Sequence, residues 1–410
     1  MNKKIIPAYL LSFVNVIGYS ILLPILPFIV ESYSAPKWVF GLLLTLYSTF
    51  QFFGAPYLGA ISDSLGRKPV LLISQAGTLL SWFLFIIAIL LPDYKFLSLA
   101  LPLWIIALSR ILDGITGGNI SVTNAYVADI ISKKERSYIF GYLGGVAGVG
   151  MIVGPGIGGL AASTSLGYIG TILAAIIIST ITLITIILWL KESLPIEKRT
   201  VKKNQSFLYS FLILKRIKEL DPSPIIKLIF LLKLIFSTMM AFYVSSIALF
   251  LIDLFKFDEK ELGFFMFVVG LFLALNQAFV SKPFIKKFGE FNTLMIGLTL
   301  TVIGLFSITL TDNLWIFIAY YYVINLGISL CFPTFNALVA IYANPEKYGE
   351  IMGISESISS ITMAAFPVIS TAMYGLIKYE LYYLISLLPF IALIIALFNK
   401  NRIKEYKNKF

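Results

Sequence analysis

The sequence contains no histidine and a single cysteine, Cys331. Without imidazole, no proton relay can use it. One thiol inside an apolar run excludes an intrachain disulfide and a cysteine metal cluster. No G-x-x-x-x-G-K-[ST] run is present, which argues against a nucleotide-driven pump. The absence of His and of paired Cys also argues against a membrane-embedded enzyme, and no metal or cofactor is expected. Charge is scarce as well. Charged residues make up 13% of the chain and hydrophobic residues 59%, where a soluble domain has about a quarter charged and about half apolar.

What the chain has instead is apolar length. Runs of roughly 20 residues, each long enough to cross ~30 Å of hydrocarbon, recur from end to end. About twelve are counted, at approximately 6–30, 38–61, 70–91, 98–127, 139–162, 167–190, 225–252, 262–281, 291–310, 314–341, 350–373 and 380–398. The expected fold is an all-α membrane protein; a membrane β-barrel would show shorter segments of period two. The first run is too long for a signal-peptide core and lacks a small-residue cleavage site, so it is expected to stay as a helix. Alternate connections hold Lys3, Lys4, Arg67, Lys68, Lys133, Lys134, Arg136, Lys282, Lys286, Lys287 and Lys347, with the basic run 191–218 and the tail from Lys400. The opposite set has only Lys37, Lys95, Lys256, Lys260 and Lys378. The positive-inside rule then puts both termini in the cytoplasm of a multi-pass protein of the plasma or inner membrane. The net charge of +11 follows from this bias and from attraction to anionic lipid, with no nucleic acid implied.

The longest polar stretch, 191–224, divides the runs evenly. Three parts are expected: a helical bundle over 1–190, a cytoplasmic linker over 191–224, and a second bundle with a basic tail over 225–410. Within the linker, Phe207, Phe211, Leu214 and Ile217 fall at helical spacing, as in an amphipathic surface helix or a short helix packed on the bundle. The two bundles are related. Asn124, Gly141 and Pro155 stand at one common spacing from Asn336, Gly353 and Pro367, and Ala125, Val127 and Ala128 meet Ala337, Val339 and Ala340 in the same frame. Nearer the start, Gly41 faces Gly263 and Gly66 faces Gly289. Such repeats are a transporter device in which substrate sits between rocking halves.

The polar residues inside this apolar chain are the functional candidates. The turn Gly59-Ala-Ile-Ser-Asp63-Ser-Leu-Gly66-Arg67-Lys68-Pro69 packs charge into a short connection. Asp63, Gly66, Arg67 and Lys68 with Asp129 form a candidate cytoplasmic gate; the alternative is a solvated turn. In the fourth run Arg110, Asp113, Gly117, Ser121 and Asn124 share a helical stripe. An ionisable group at that depth costs at least ~2.5–3.5 kcal/mol unless paired or wetted. Asp113 can exchange protons with Arg110 tuning it, or the two form a structural pair. Glu356 in the eleventh run and Lys233 in the seventh leave three readings open: substrate counter-charge, proton site, or plain ion pair. Neutral candidates for the cavity are Asn15, Tyr19, Tyr47, Gln51, Asn124, Asn276 and Asn325, with interhelical hydrogen bonding as the alternative for each amide. The glycine-rich fifth run, with Gly150, Gly154, Pro155, Gly158 and Gly159, suits close helix packing that can seal one side.

Several of these segments resemble the major facilitator superfamily, in its drug–proton antiporter branch near the tetracycline efflux proteins. The turn is similar to that family's G-x-L-S-D-x-x-G-R-K-P. Arg110-Ile-Leu-Asp113-Gly114-Ile-Thr-Gly117-Gly118 with Ala125-Tyr-Val-Ala-Asp129 carries the match through the fourth run. Gly150-Met-Ile-Val-Gly154-Pro155-Gly156-Ile-Gly158-Gly159 carries it through the fifth, in a pattern associated with antiporters. Asn15-Val-Ile-Gly18-Tyr19, Leu23-Pro24 and Leu26-Pro27 resemble the first helix of those proteins, and Tyr47-x-x-x-Gln51 a pair in their second. The resemblance implies two pseudo-symmetric six-helix bundles and secondary active, proton-driven export of a small amphipathic compound by a monomer whose partners are substrate, protons and membrane lipid. The alternative on the same fold is uptake or facilitated diffusion of a small nutrient. Two departures matter: tetracycline exporters place acids where this chain has Asn15 and Ser81, and the ninth run here has no acid either, so the transported species and the proton-carrying residue are not carried over from that family. Within the chain itself, the second bundle's copy of the charged turn reads Lys286-Lys-Phe-Gly289, with no acid.

Overall fold

The computed structural model describes residues 5–132, 136–199, 213–344 and 347–400. Apart from a small antiparallel pair, β1 (Lys95–Phe96) with β2 (Leu99–Ala100), regular structure among these residues is helical. Hydrocarbon offers no hydrogen-bond partners, and a helix satisfies its own backbone groups.

In chain order the helices are α1 (Ile6–Ser20), α2 (Leu26–Ser32), α3 (Trp38–Leu65), α4 (Arg67–Leu90), α5 (Leu101–Gly117), α6 (Ile120–Ile130), α7 (Arg136–Ala162) and α8 (Tyr168–Trp189). They continue with α9 (Ile213–Leu220), α10 (Pro224–Phe255), α11 (Glu259–Leu275), α12 (Lys282–Phe288), α13 (Glu290–Ser307), α14 (Leu314–Tyr342), α15 (Tyr348–Ile377) and α16 (Leu381–Phe398). Among the described residues, ten stretches are long and apolar enough to span a membrane; one of these, Tyr348–Phe398, holds both α15 and α16, and α1 is a shorter apolar helix. The chain is therefore a multi-pass helical membrane protein, as the apolar runs predict. The expected amphipathic stretch lies partly outside the described residues, which omit Phe207 and Phe211; its described part is α9.

Local chemistry explains the helix ends. Proline opens α1, α5 and α10, where a missing N–H costs nothing. Asn313 caps α14 by accepting from the N–H groups of Trp315 and Ile316 at 3.0 and 3.3 Å. Gly66 and Gly289 each join one helix to the next with positive φ, 102° and 77°. The two glycines that the repeat pairs in sequence thus make the same left-handed turn.

Two compact units emerge: Met1–Phe211 with Phe257–Val268, and Leu212–Lys256 with Val269–Phe410. The unit boundary cuts α11, so its first part clusters with the first unit. In that unit α3 and α4 pack on α5, and α1 packs on α7; in the other, α13 packs on α14 and α10 on α15.

Candidate functional site

In the first unit the polar cluster is built around α5. Arg110 and Asp113 are each 2% exposed. Their spacing of one helical turn brings the guanidinium Nη1 to 3.1 Å from the carboxylate Oδ2. The guanidinium also lies over aromatic rings, with its carbon 4.9 Å from the centroid of Trp82, 5.4 Å from Phe85 and 5.9 Å from Tyr47. Desolvated cation–π contact of this kind helps to hold a charge that water no longer solvates. Thr78 and Ser81 on α4 present hydroxyls to the same carboxylate.

One turn beyond, Asn15 Nδ2 donates to Asn119 Oδ1 at 2.6 Å. Tyr47 Oη donates to the Asn15 carbonyl at 3.3 Å, Gln51 Nε2 donates to Tyr47 Oη at 3.0 Å, and the Tyr19 and Tyr47 rings lie 5.4 Å apart. Asn15, Tyr19, Tyr47, Gln51, Arg110 and Asp113 are therefore brought together. Asn124 is not: the helix breaks between Gly117 and Ile120, and Asn124 is exposed on α6. Asn119, in that break, takes part instead, and sequence spacing did not single it out. Four atoms of the cluster, Arg110 Nε and Nη2, Asn15 Oδ1 and Asn119 Nδ2, are buried with no hydrogen-bond partner. The cluster thus retains capacity to bind a further polar group.

The charged turn is tied into the same unit. Arg67 Nη1 lies 2.8 Å from Asp63 Oδ1, and its Nε lies 3.1 Å from Asp129 Oδ2. Asp129 also accepts from Ser193 Oγ at 3.0 Å. Lys68 Nζ donates to the Ile187 carbonyl at 3.1 Å. The residue that sequence reasoning missed is Glu192. Its carboxylate accepts from the backbone N–H groups of Arg67 and Lys68 at 2.9 and 3.1 Å, and from Ser193 and Leu194 at 3.0 Å each. Partial burial alone raises its pKa, but the backbone donors outweigh that and hold the carboxyl below its usual range. Glu192 thus caps the N-terminus of α4, which has no side-chain cap of its own, and adds an anion at the positive helix end. A Cβ on Gly66 would stand 2.5 Å from Glu192 Oε2, so this turn needs glycine for space as well as for φ.

On α7, Gly150, Gly154 and Gly158 face Phe13, Ser20 and Ile21 of the first pass. Gly159 abuts the backbone of Glu259 and Gly263, with Pro155 contributing its carbonyl to the same crossing. Both backbones touch, so neither Gly159 nor Gly263 has room for a side chain. Next to this crossing, Tyr168 Oη donates to Glu259 Oε1 at 2.8 Å.

The second unit holds its own polar groups. Lys233 on α10 is 6% exposed; its Nζ donates to Ser355 Oγ at 2.8 Å and to Glu356 Oε1 at 2.9 Å. The Glu356 side chain is 62% exposed. Asn276 Nδ2 donates to Asn325 Oδ1 at 3.1 Å, and Asn325 Nδ2 to the Val269 carbonyl at 2.9 Å. Asn276 begins a π-helical turn, Asn276–Ser281, a local widening that often marks functional sites. Lys233 and Glu356 thus meet, as do Asn276 and Asn325. Among the described residues no group of His, Cys, Asp and Glu gathers as metal ligands.

The sequence profile of the Major Facilitator Superfamily matches residues 8–367 and 278–409. The chain is 29% identical over 374 residues to the tetracycline resistance protein, class C, of Escherichia coli, covering 88% of this chain and 87% of that one. It is 27% identical over 387 residues to the class H protein of Pasteurella multocida, covering 92% and 90%. Among solved structures, the human organic anion transporter MFSD10 superposes with a TM-score of 0.70 at 22% identity, covering 96% of this chain and 99% of that one. The last similarity is one of fold.

Proposed function

Because the chain belongs to the Major Facilitator Superfamily, and is thus a membrane transporter of small molecules rather than an enzyme, we propose that it exports an amphipathic compound in exchange for protons. The observation that carries this reading is the Arg110–Asp113 pair, fully buried in a membrane-spanning helix beside spare hydrogen-bonding atoms. Burial penalises the charged carboxylate while Arg110 stabilises it, and this opposed balance is what a proton-exchanging site requires. Asp113 is the proposed proton carrier, Arg110 its charge partner, and Asn15, Tyr19, Tyr47 and Gln51 the neighbouring cavity wall. The similarity to tetracycline resistance proteins favours efflux of drug-like compounds over nutrient uptake.

The bundles 1–190 and 225–410 are the proposed moving parts, rocking about a site near the midplane. Both termini face the cytoplasm in this reading, from the distribution of basic residues. The turn at Asp63, Arg67 and Asp129 is then the cytoplasmic gate, and Glu192 and Ser193 keep it shaped. The test is purified protein in proteoliposomes loaded with a pH-sensitive dye. Adding tetracycline, or another compound found by a drug-sensitivity screen, is expected to move protons opposite to the compound. Compound flux with no proton movement would leave facilitated diffusion as the function.

A further inference from the structure

Lys233 carries a second piece of chemistry. It lies about 14 Å along α10 from the N-terminal end, given 1.5 Å per residue. A lysine at such a site needs compensation, yet its acidic partner is an exposed carboxylate held by one contact of 2.9 Å. An ammonium has three N–H donors, and two are accounted for here, by Ser355 and Glu356. The cation is therefore the fixed, buried member of the pair, and Glu356 is the replaceable one.

The seam between α10 and α15 continues this polarity in steps. Beyond the charge pair, Ser237 Oγ and Ser359 Oγ lie 3.2 Å apart. Farther along, the half-buried rings of Phe242 and Phe366 pair with centroids 5.5 Å apart. Glu356 and Phe366 are separated by about 15 Å of helix. One edge of the seam offers a cation, the middle offers hydroxyls, and the far part offers aromatic surface.

We propose that this seam selects amphipathic organic anions: the acidic group replaces Glu356 on Lys233 Nζ, and the apolar ring system lies toward Phe242 and Phe366. This deepens the export reading by naming a substrate class, and it rests on that reading only in treating the second unit as part of the substrate path.

The test is equilibrium binding to the full-length protein in detergent, with no gradient, so a failure of proton coupling does not affect it. The probes are pyrenebutyrate and its neutral amide, which differ only in charge. A charge-assisted hydrogen bond in a desolvated site gives the wild type a preference for the anion of at least about tenfold. Lys233→Arg keeps the preference. The double variant Lys233→Gln, Glu356→Gln removes both charges together, so it leaves no buried charge unpaired, and it is expected to elute as a monodisperse protein that binds both probes equally. Phe366→Ala weakens both probes alike. The proposal is overturned if the wild type shows no preference for the anion, or if the double variant retains it.

Discussion

At the scale of single residues, the proposed chemistry turns on two ion pairs of different exposure. Arg110 and Asp113 are both enclosed, so removing one leaves the other as an uncompensated charge, at a cost of about 3–5 kcal/mol. Arg110→Gln alone is accordingly expected to lower the melting temperature strongly in detergent. Adding Asp113→Asn to it should recover much of that stability while proton-coupled transport stays absent. Recovery of transport along with stability would show the pair to be structural only. At the second pair the outcome differs, because Glu356 is exposed: Glu356→Gln should change which compounds are carried more than it changes stability. An unchanged substrate profile in a resistance assay would reduce Glu356 to a structural role.

At the scale of helices, α4 depends on a cap supplied from far along the chain. Capping contacts are worth about 0.5–2 kcal/mol, so Glu192→Gln should destabilise the protein by that order at neutral pH. Glu192 has a lowered pKa, so its contribution is complete above the unfolded value of about 4.3 and is lost as pH falls through the lower folded value. The stability gap between wild type and Glu192→Gln, measured by thermal unfolding, should therefore be full at pH 7 and close in acid. A gap that widened on acidification would contradict the assignment. On α7, a Cβ at Gly154 would collide with Ser20 Oγ. Overpacking of this kind costs about 1–3 kcal/mol of stability, so Gly154→Leu is expected to leave membrane expression intact while impairing transport by forcing the two helices apart; normal transport would argue against a seal.

These elements also mark what is readable in the chain. Apolar runs report membrane passes directly, because length and hydropathy are local properties, and the left-handed turns at Gly66 and Gly289 follow from local residue preference. Glu192 was illegible because its partners, Arg67 and Lys68, lie in another helix and it contacts their backbone, which has no residue signature. Asn119 was hidden by treating the fourth pass as one helix; the run Gly117-Gly118-Asn119 is the signal that the stripe would break before Asn124. The pairing of Lys233 with Glu356 was one of three readings the sequence left open, whereas the exposure that separates the two residues appears only when the helices are packed.

At the scale of the whole molecule, proton exchange at Asp113 is the central claim: one buried carboxylate in the first unit is the proposed point at which the proton gradient is coupled to movement of the compound. Its most direct test compares two transport modes of Asp113→Asn in proteoliposomes, with a compound that the wild type exports. Uphill transport driven by an imposed pH gradient needs the proton site, whereas equilibrium exchange of labelled for unlabelled compound needs only a folded protein that alternates. The account predicts that Asp113→Asn abolishes the first and retains the second. Uphill transport at wild-type rates in that variant would contradict it and place the coupling elsewhere.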